Sequence, residues 1–191
     1  MSKTKLGFAV CGSFCTFEKT LALLETLCRE YDVTPILSEA AASTDTRFGD
    51  AAPFCQKVKA LTGKTIISSI TGAEPIGPKG LLDIILVAPC TGNTFAKLST
   101  GIADTSVTMA CKAHLRNQSP VVLAVSTNDG LAGNARNIGT MLNKKHVFFV
   151  PFRQDDPKGK PASLVSDFSL AGKALQMAME GEQLQPLLTG I

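Results

Sequence analysis

Asp83-Ile-Ile-Leu-Val-Ala88, followed at once by Pro89-Cys-Thr-Gly-Asn-Thr94, carries the architecture of this chain. Ile84 to Ala88 is apolar at every position. An unbroken run of this kind is buried on both faces, as in the central strand of a parallel sheet covered by helices. Pro89 removes a ladder donor and ends the run, and a turn of small, hydroxyl and amide side chains follows.

The same pattern repeats in both directions. Toward the N-terminus, Leu6–Val10 is a short apolar run ending in Cys-Gly-Ser, and Thr16–Glu30 then carries Leu21, Leu24, Leu27 and Cys28 at helical spacing. Lys3 and Lys5 before this run imitate a signal peptide, but the apolar stretch is brief and meets Glu18 and Lys19, which favours a first strand. Val33–Leu37 reads as a second strand stopping at Ser38-Glu39, Ala40–Gly49 as a loop, and Ala51–Leu61 as a helix ended by Gly63. Thr65–Ile70 suggests a third, short strand, and Gly72–Gly80, with Pro75 and Pro78, reads as irregular. Toward the C-terminus the spacing predicts a helix over Asp104–Leu115, a buried strand at Val121–Val125 and a Gly-punctuated helix start from Asn128. A last strand is expected at Val147–Val150 and a final helix over Ser163–Glu180. Strands alternating with helices give an α/β fold, an open parallel sheet with helices on both faces, as a single domain over residues 1–191. Gln154–Pro161 is the one segment that reads as mobile or as meeting another protomer.

Composition narrows the partners. Apolar residues make up 45% and charged residues 18%, which excludes a disordered chain or a coiled coil. A net charge of +3 and an aromatic content of 6% provide neither a basic field nor a stacking platform for nucleic acid. No apolar run reaches the roughly 18 residues of a membrane span. The six cysteines show no C-x-x-C pair, and His114 and His146 have no cysteine or histidine at ligand spacing, so no metal is expected and the thiols read as reduced core residues.

In an open α/β sheet the ligand lies beyond the carboxyl ends of the strands. The residues directly after each strand are Gly12-Ser13-Phe14, Ser38-Glu39, Pro89-Cys90-Thr91-Gly92-Asn93-Thr94 and Ser126-Thr127-Asn128-Asp129. All four turns are rich in Gly, hydroxyls and amides and poor in charge. Backbone N–H groups at helix starts, helped by hydroxyls, hold a phosphate without lysine. Any one of these turns alone is accounted for by helix capping, Asp104 included. Their co-location is what points to a ligand. The P-loop lysine and the G-x-S-x-G elbow are absent, which removes an NTP loop and the usual hydrolase nucleophile. The absence of G-x-G-x-x-G favours a mononucleotide over a dinucleotide and leaves Glu39 weak as a ribose contact. Cys90 reads as a small buried thiol and His114 as a structural residue near a helix end.

These residues also carry a resemblance. Ala88-Pro-Cys-Thr-Gly-Asn-Thr94, then Lys97 and Gly101-Ile-Ala-Asp104, resembles the signature of the flavin-binding cysteine decarboxylase family, a Pro-Ala-Ser-Ala-Asn-Thr turn followed by Gly-Ile-Ala-Asp. The likeness continues at Gly12-Ser13 and at Ser126-Thr-Asn128, where the family reads Pro-x-Met-Asn. Thr44-Asp-Thr-Arg-Phe-Gly49, Ala73-Glu-Pro-Ile-Gly-Pro78, Ser126-Thr-Asn-Asp129 and Pro151-Phe-Arg-Gln-Asp-Asp-Pro157 resemble one branch of that group, found in spore-forming bacteria.

The resemblance implies a Rossmann-like flavoprotein that binds FMN, assembles as a homo-oligomer built from trimers, and works in the cytoplasm of the mother cell during sporulation. Gly12, Ser13 and Phe14 would cradle the phosphate with Ser38 beside it. Pro89, Cys90, Thr91, Asn93 and Thr94 would line the phosphate, ribityl chain and ring edge, and Ser126 and Asn128 would face the ring or the substrate. The branch acts with a dehydrogenase-like partner, the expected holder of NADP, to turn a dihydropyridine dicarboxylate into the aromatic dicarboxylate. A dianionic substrate calls for cations, and Arg47 is the candidate carboxylate clamp beside Asn128. The family's active-site His has no counterpart in Ala51–Leu61, and Val125 and Thr127 stand where its motif has Pro and Met. An oxidoreductase component, a non-catalytic flavin-binding scaffold and an independent cysteine decarboxylase are the alternatives, the last set back by the missing His.

Overall fold

The computed structural model describes residues 3–190. Its elements run β1 (Lys5–Val10), α1 (Phe17–Glu30), β2 (Asp32–Leu37), α2 (Glu39–Ser43), α3 (Ala51–Thr62), α4 (Ile70–Ala73), β3 (Ile84–Cys90), α5 (Gly92–Thr100), α6 (Ser106–Arg116), β4 (Val121–Thr127), α7 (Ala135–Leu142), β5 (Val147–Phe149), β6 (Phe152–Asp156), β7 (Lys160–Ser166) and α8 (Ala171–Met179). The strands form one seven-stranded sheet in the order β2-β1-β3-β4-β7-β6, with β5 also paired to β4. β1 to β5 are mutually parallel, in the order 2-1-3-4-5. In a sheet of this order the strand sequence reverses between β1 and β3, and the ligand crevice opens there, outside the carboxyl ends.

Strand alternation divides the core between two faces. Leu6, Phe8, Val10, Ile84, Leu86, Val122 and Ala124 pack toward α1, α3 and α8. Ala9, Ile85, Val87, Leu123 and Val125 pack toward α5, α6 and α7. β3 is buried at every residue, as its composition predicts. Its register with β4 shifts between Val87 and Cys90, so Cys90 joins the second face with Val87 although the two are an odd number of positions apart.

The sheet is mixed rather than wholly parallel. β6 and β7 form an antiparallel hairpin, and β7 pairs antiparallel with the end of β4, Ser126 opposite Val165 and Thr127 opposite Leu164. Gln154–Pro161, expected to be mobile or to meet another protomer, forms the turn of this hairpin with parts of both its strands, and Val147–Phe149 is followed by two further strands. The expected helix over Ser163–Glu180 holds only from Ala171 to Met179. The reason is a polar one. β4 loses β5 as a neighbour after Leu123, and the buried Ser166 hydroxyl accepts from Val125 N (2.7 Å) and donates to Val150 O (3.1 Å), closing the gap only if this segment is extended.

Smaller departures have local causes. Thr65–Ile70 makes a single bridge, Ile67 to Ile36, rather than a strand. The Ala40–Gly49 loop opens with the short helix α2, and Gly72–Gly80 contains helical turns at Ile70–Ala73 and Glu74–Ile76. α5 begins inside what reads as a turn in sequence, because Thr91 caps it, and runs on until Gly101, in the left-handed region at φ 79°, stops it. α6 is capped by Thr105 through a capping box with Thr108, while Asp104 pairs with Lys97 at 2.8 Å.

Candidate functional site

Three strand exits meet at the β1/β3 crevice. After β1 the chain turns sharply, Ser13 N donating to Cys11 O (2.8 Å) and Thr16 Oγ1 to Ser13 O (2.7 Å). Cys11 N donates to Pro89 O at 3.3 Å, and Thr94 Oγ1 donates to Cys11 Sγ at 3.1 Å, so the turn after β3 is pinned to the end of β1. Thr91 Oγ1 bonds Thr94 Oγ1 (3.1 Å) and accepts from Thr94 N (3.4 Å), capping α5. That leaves the N–H groups of Gly92 and Asn93 without helical acceptors at the positive end of α5. From β4, Ser126 Oγ and Ser13 Oγ share a hydrogen bond of 2.9 Å across 113 residues of sequence.

These exits enclose a cleft of about 500 Å³ whose lining includes Gly12, Ser13, Phe14, Thr91, Ser126 and Asn128. The remaining predicted residues sit around it. Pro89, Cys90 and Thr94 are buried beneath the floor, and Asn93 is exposed on the first turn of α5. Ser38 follows β2 beside Val10, where its hydroxyl accepts from Ala41 N (3.2 Å) and caps α2. Arg47 is exposed outside the lining, its guanidinium 4.8 Å from the ring centre of Phe48, and Phe48 does line the cleft. Glu39 points elsewhere, accepting from Ser106 N (3.2 Å) at the start of α6.

Burial sets the chemistry of the thiols. Desolvation pushes Cys11 up to about 11 against the Thr94 hydroxyl bond that pulls it down, and raises Cys90 well above the ordinary thiol range. Neither is a nucleophile at neutral pH. Cys15 is the exposed thiol, and it lines the cleft. Among the described residues no group of three or more His, Cys, Asp or Glu side chains is placed to hold a metal ion.

Two features of the site escape a sequence reading. The first is a polar chain behind α5: Thr127 Oγ1 donates to Asp129 Oδ1, Asn134 Nδ2 to Asp129 Oδ2 (2.8 Å), Asn137 Nδ2 to Asn134 Oδ1 (2.8 Å), and Ser99 Oγ to Asn137 Oδ1 (3.0 Å). Gly92 is wedged against it, since a Cβ there would lie 2.5 Å from both Asn134 Nδ2 and Thr127 Oγ1. Asn134 and Asn137, spaced three apart beside Asp129, are the signal that the sequence holds for it. The second is charge: Lys19 of α1 and the pair Lys160–Asp155 (3.1 Å) of the β6–β7 hairpin line the cleft.

The resulting surface is a neutral wall of hydroxyls, amides and backbone donors around a helix start, facing a charged wall. The neutral side suits a phosphate-bearing polyol, whose oxygens find N–H and O–H partners. Comparison with known proteins agrees with this fold. A protein-family model described as Flavoprotein matches residues 1–163. The B subunit of dipicolinate synthase from Bacillus subtilis (strain 168) is 43% identical over 185 residues, 96% of this chain and 92% of that protein. The crystal structure of the dipicolinate synthase B subunit from Bacillus halodurans superposes with a TM-score of 0.91 at 38% identity, covering 99% of this chain and 97% of that one. The FMN-dependent cysteine decarboxylase SpaF shares the fold at 20% identity, with a TM-score of 0.63 over 93% of this chain and 98% of its own. With a family match that spans β1 to the hairpin and a cleft at the β1/β3 switch point, the chain belongs to the flavoprotein family.

Proposed function

We propose that the chain is the B subunit of a dipicolinate synthase, a cytoplasmic oxidoreductase component that works with the dehydrogenase-like A subunit during sporulation. The observation that carries this reading is the similarity to the B subunit of the Bacillus subtilis dipicolinate synthase along nearly the whole of both chains. In this reading residues 1–191 act as one flavoprotein domain, in a homo-oligomer built from trimers, and NADP belongs to the dehydrogenase-like partner.

FMN is the proposed cofactor, and the neutral cleft fits it. Gly12 and Phe14 hold the phosphate through backbone N–H and Ser13 through its hydroxyl, its own N–H being bound to Cys11 O, with Ser38 beside them. Thr91 lines the phosphate, ribityl chain and ring edge, with Asn93 on the adjoining first turn of α5 and Pro89, Cys90 and Thr94 packed beneath to hold that turn in place. When bound, the flavin supplies a hydride acceptor. The substrate, a dihydropyridine-2,6-dicarboxylate, loses a hydride equivalent and a proton to become the aromatic pyridine-2,6-dicarboxylate. Asn128, exposed just past the end of β4, orients that ring by its amide, and Ser126 fixes the adjoining loop through its bond to Ser13 (2.9 Å). Phe14 and Phe48 cover the cleft with apolar surface and limit water. Arg47, at the rim on the Phe48 ring, meets an incoming carboxylate.

One observation favours a second reading, a non-catalytic flavin-binding scaffold for the dehydrogenase-like partner. The titratable side chains lining the cleft are Cys15, Lys19, Asp155 and Lys160, with no histidine among them. Mixing the chain with that partner and the precursor tests both. Product formation that depends on this chain, and that falls in Asn128→Ala with Arg47→Ala while the partner still binds, supports the oxidoreductase reading. Equal product from the dehydrogenase-like partner alone contradicts it.

A further inference from the structure

The charged wall of the cleft has no part in holding a nucleotide through neutral donors, yet it is built firmly. Asp156 Oδ1 accepts from Gly159 N (2.9 Å) and Lys158 N (3.3 Å), which closes the β6–β7 turn directly before Lys160. The hairpin is then fused to the end of β4: Ser163 Oγ donates to Thr127 O (3.2 Å), and Leu131 N donates to Ala162 O (3.0 Å). Lys160 and the Ser126–Asn128 loop are thereby held in one frame. Lys19 and Lys160 are the cations of the cleft lining, and Asp155 is its carboxylate. Asp155 binds the Lys160 ammonium at 3.1 Å in an exposed pair, the kind of contact that a better-placed carboxylate displaces at little cost. Thr16, Lys19, Asp155 and Val165 also line a neighbouring cavity of about 660 Å³, so Lys19 and Asp155 stand where the two cavities adjoin.

Resting on the function proposed above, we propose that Lys160 is the substrate-carboxylate anchor of the site, with Asp155 holding its ammonium in place until a dicarboxylate takes over and Lys19 facing the second carboxylate. This deepens the earlier reading by assigning the two charges of the substrate to a wall distinct from the one that holds the nucleotide. Arg47 then serves beside Phe48 and Lys160 on the hairpin wall of the cleft. Asp155 competes with the ligand for the same ammonium, and its removal favours the ligand.

The test is a calorimetric titration of pyridine-2,6-dicarboxylate into the FMN-loaded protein and into the flavin-free protein, beside a separate titration of FMN. Lys160→Met is expected to weaken dicarboxylate binding at least about tenfold, with FMN affinity changed less than about twofold. Lys160→Arg restores most of the loss, and Asp155→Asn tightens binding. Unchanged dicarboxylate affinity in Lys160→Met overturns the proposal. So does a tenfold loss of FMN affinity with dicarboxylate binding intact, because Lys160 would then serve the phosphate. Failure of the wild-type chain to bind FMN contradicts the cofactor reading instead, and the flavin-free titration still decides the role of Lys160.

Discussion

Ser13, in the turn after β1, and Ser126, near the end of β4, hold each other by a 2.9 Å hydrogen bond between their hydroxyls. β3 lies between those two strands in the sheet, so the bond spans the mouth of the crevice and joins its two sides. A hydroxyl pair gives both rims one position without placing a formal charge in the site, and the proton not used in the shared bond is left to donate to a ligand oxygen.

Removing either hydroxyl should cost about 0.5–1.5 kcal/mol of stability, the usual net worth of such a bond. Ser13→Ala and Ser126→Ala together should cost less than the sum of the single changes, since each already breaks the shared contact. A double-mutant cycle by urea denaturation measures this. Strict additivity would mean the two side chains do not interact in solution.

Gly92→Ala should damage the site more than any change on its rim. The added methyl meets Asn134 Nδ2 and Thr127 Oγ1 at 2.5 Å and Asp129 Oδ1 at 2.8 Å, and these are fixed by their own hydrogen bonds. An overpacking cost of about 1–3 kcal/mol is expected. FMN binding, by fluorescence quenching, should weaken with it, whereas Gly172→Ala, with open space around the site of the new methyl, should leave binding unchanged.

Thiol labelling should be graded by burial. Cys15 is exposed, Cys28 and Cys55 are partly buried, and Cys11, Cys90 and Cys111 are buried. With Cys11 raised to about 11 by desolvation, the buried thiols carry almost no thiolate near neutrality. Mass spectrometry after brief iodoacetamide treatment should find Cys15 modified first and Cys11, Cys90 and Cys111 only after unfolding. FMN should slow labelling of Cys15, which lines the same cleft.

Acid should destabilise the fold through His114. Burial lowers its pKa from the ordinary 6.5, partly opposed by the backbone of Asp83 and Pro120 and by the Asp83 charge, and its Nε2 has no partner among the described residues. The unfolded chain therefore takes up the proton more readily than the folded one. The stability contribution is present above about 6.5 and is lost as pH falls below that value toward the lowered folded pKa. Thermal melts from pH 8 to pH 5 should decline in the wild-type chain, and His114→Gln should flatten the decline in that window.

Much of the fold is legible because its central strands announce themselves. Ile84–Ala88 and Val121–Val125 are apolar throughout, and a strand with no polar face has no other place to go than the middle of a covered sheet. The turns after them are legible for the same reason, since a strand end fixes where a polar turn lies in space. The hairpin is not. Ser163–Ser166 has the spacing of a helix, and its extended form depends on the Ser166 hydroxyl bridging Val125 and Val150, a partnership 41 residues away in sequence on one side. Lys160 is hidden with it, because its place beside the cleft exists only once the hairpin has formed. The Asp129–Asn134–Asn137 chain is hidden by another effect, because amides that bond one another look in sequence like solvated loop residues.

The most direct measurement is a pair of titrations of the purified chain, one with FMN and one with riboflavin, followed by flavin fluorescence. Convergent N–H and hydroxyl donors around Gly12, Ser13 and Thr91 predict saturable binding of FMN at one site per chain, with riboflavin bound at least about tenfold more weakly for want of its phosphate. Absence of FMN binding, or equal affinity for the two, would contradict the account.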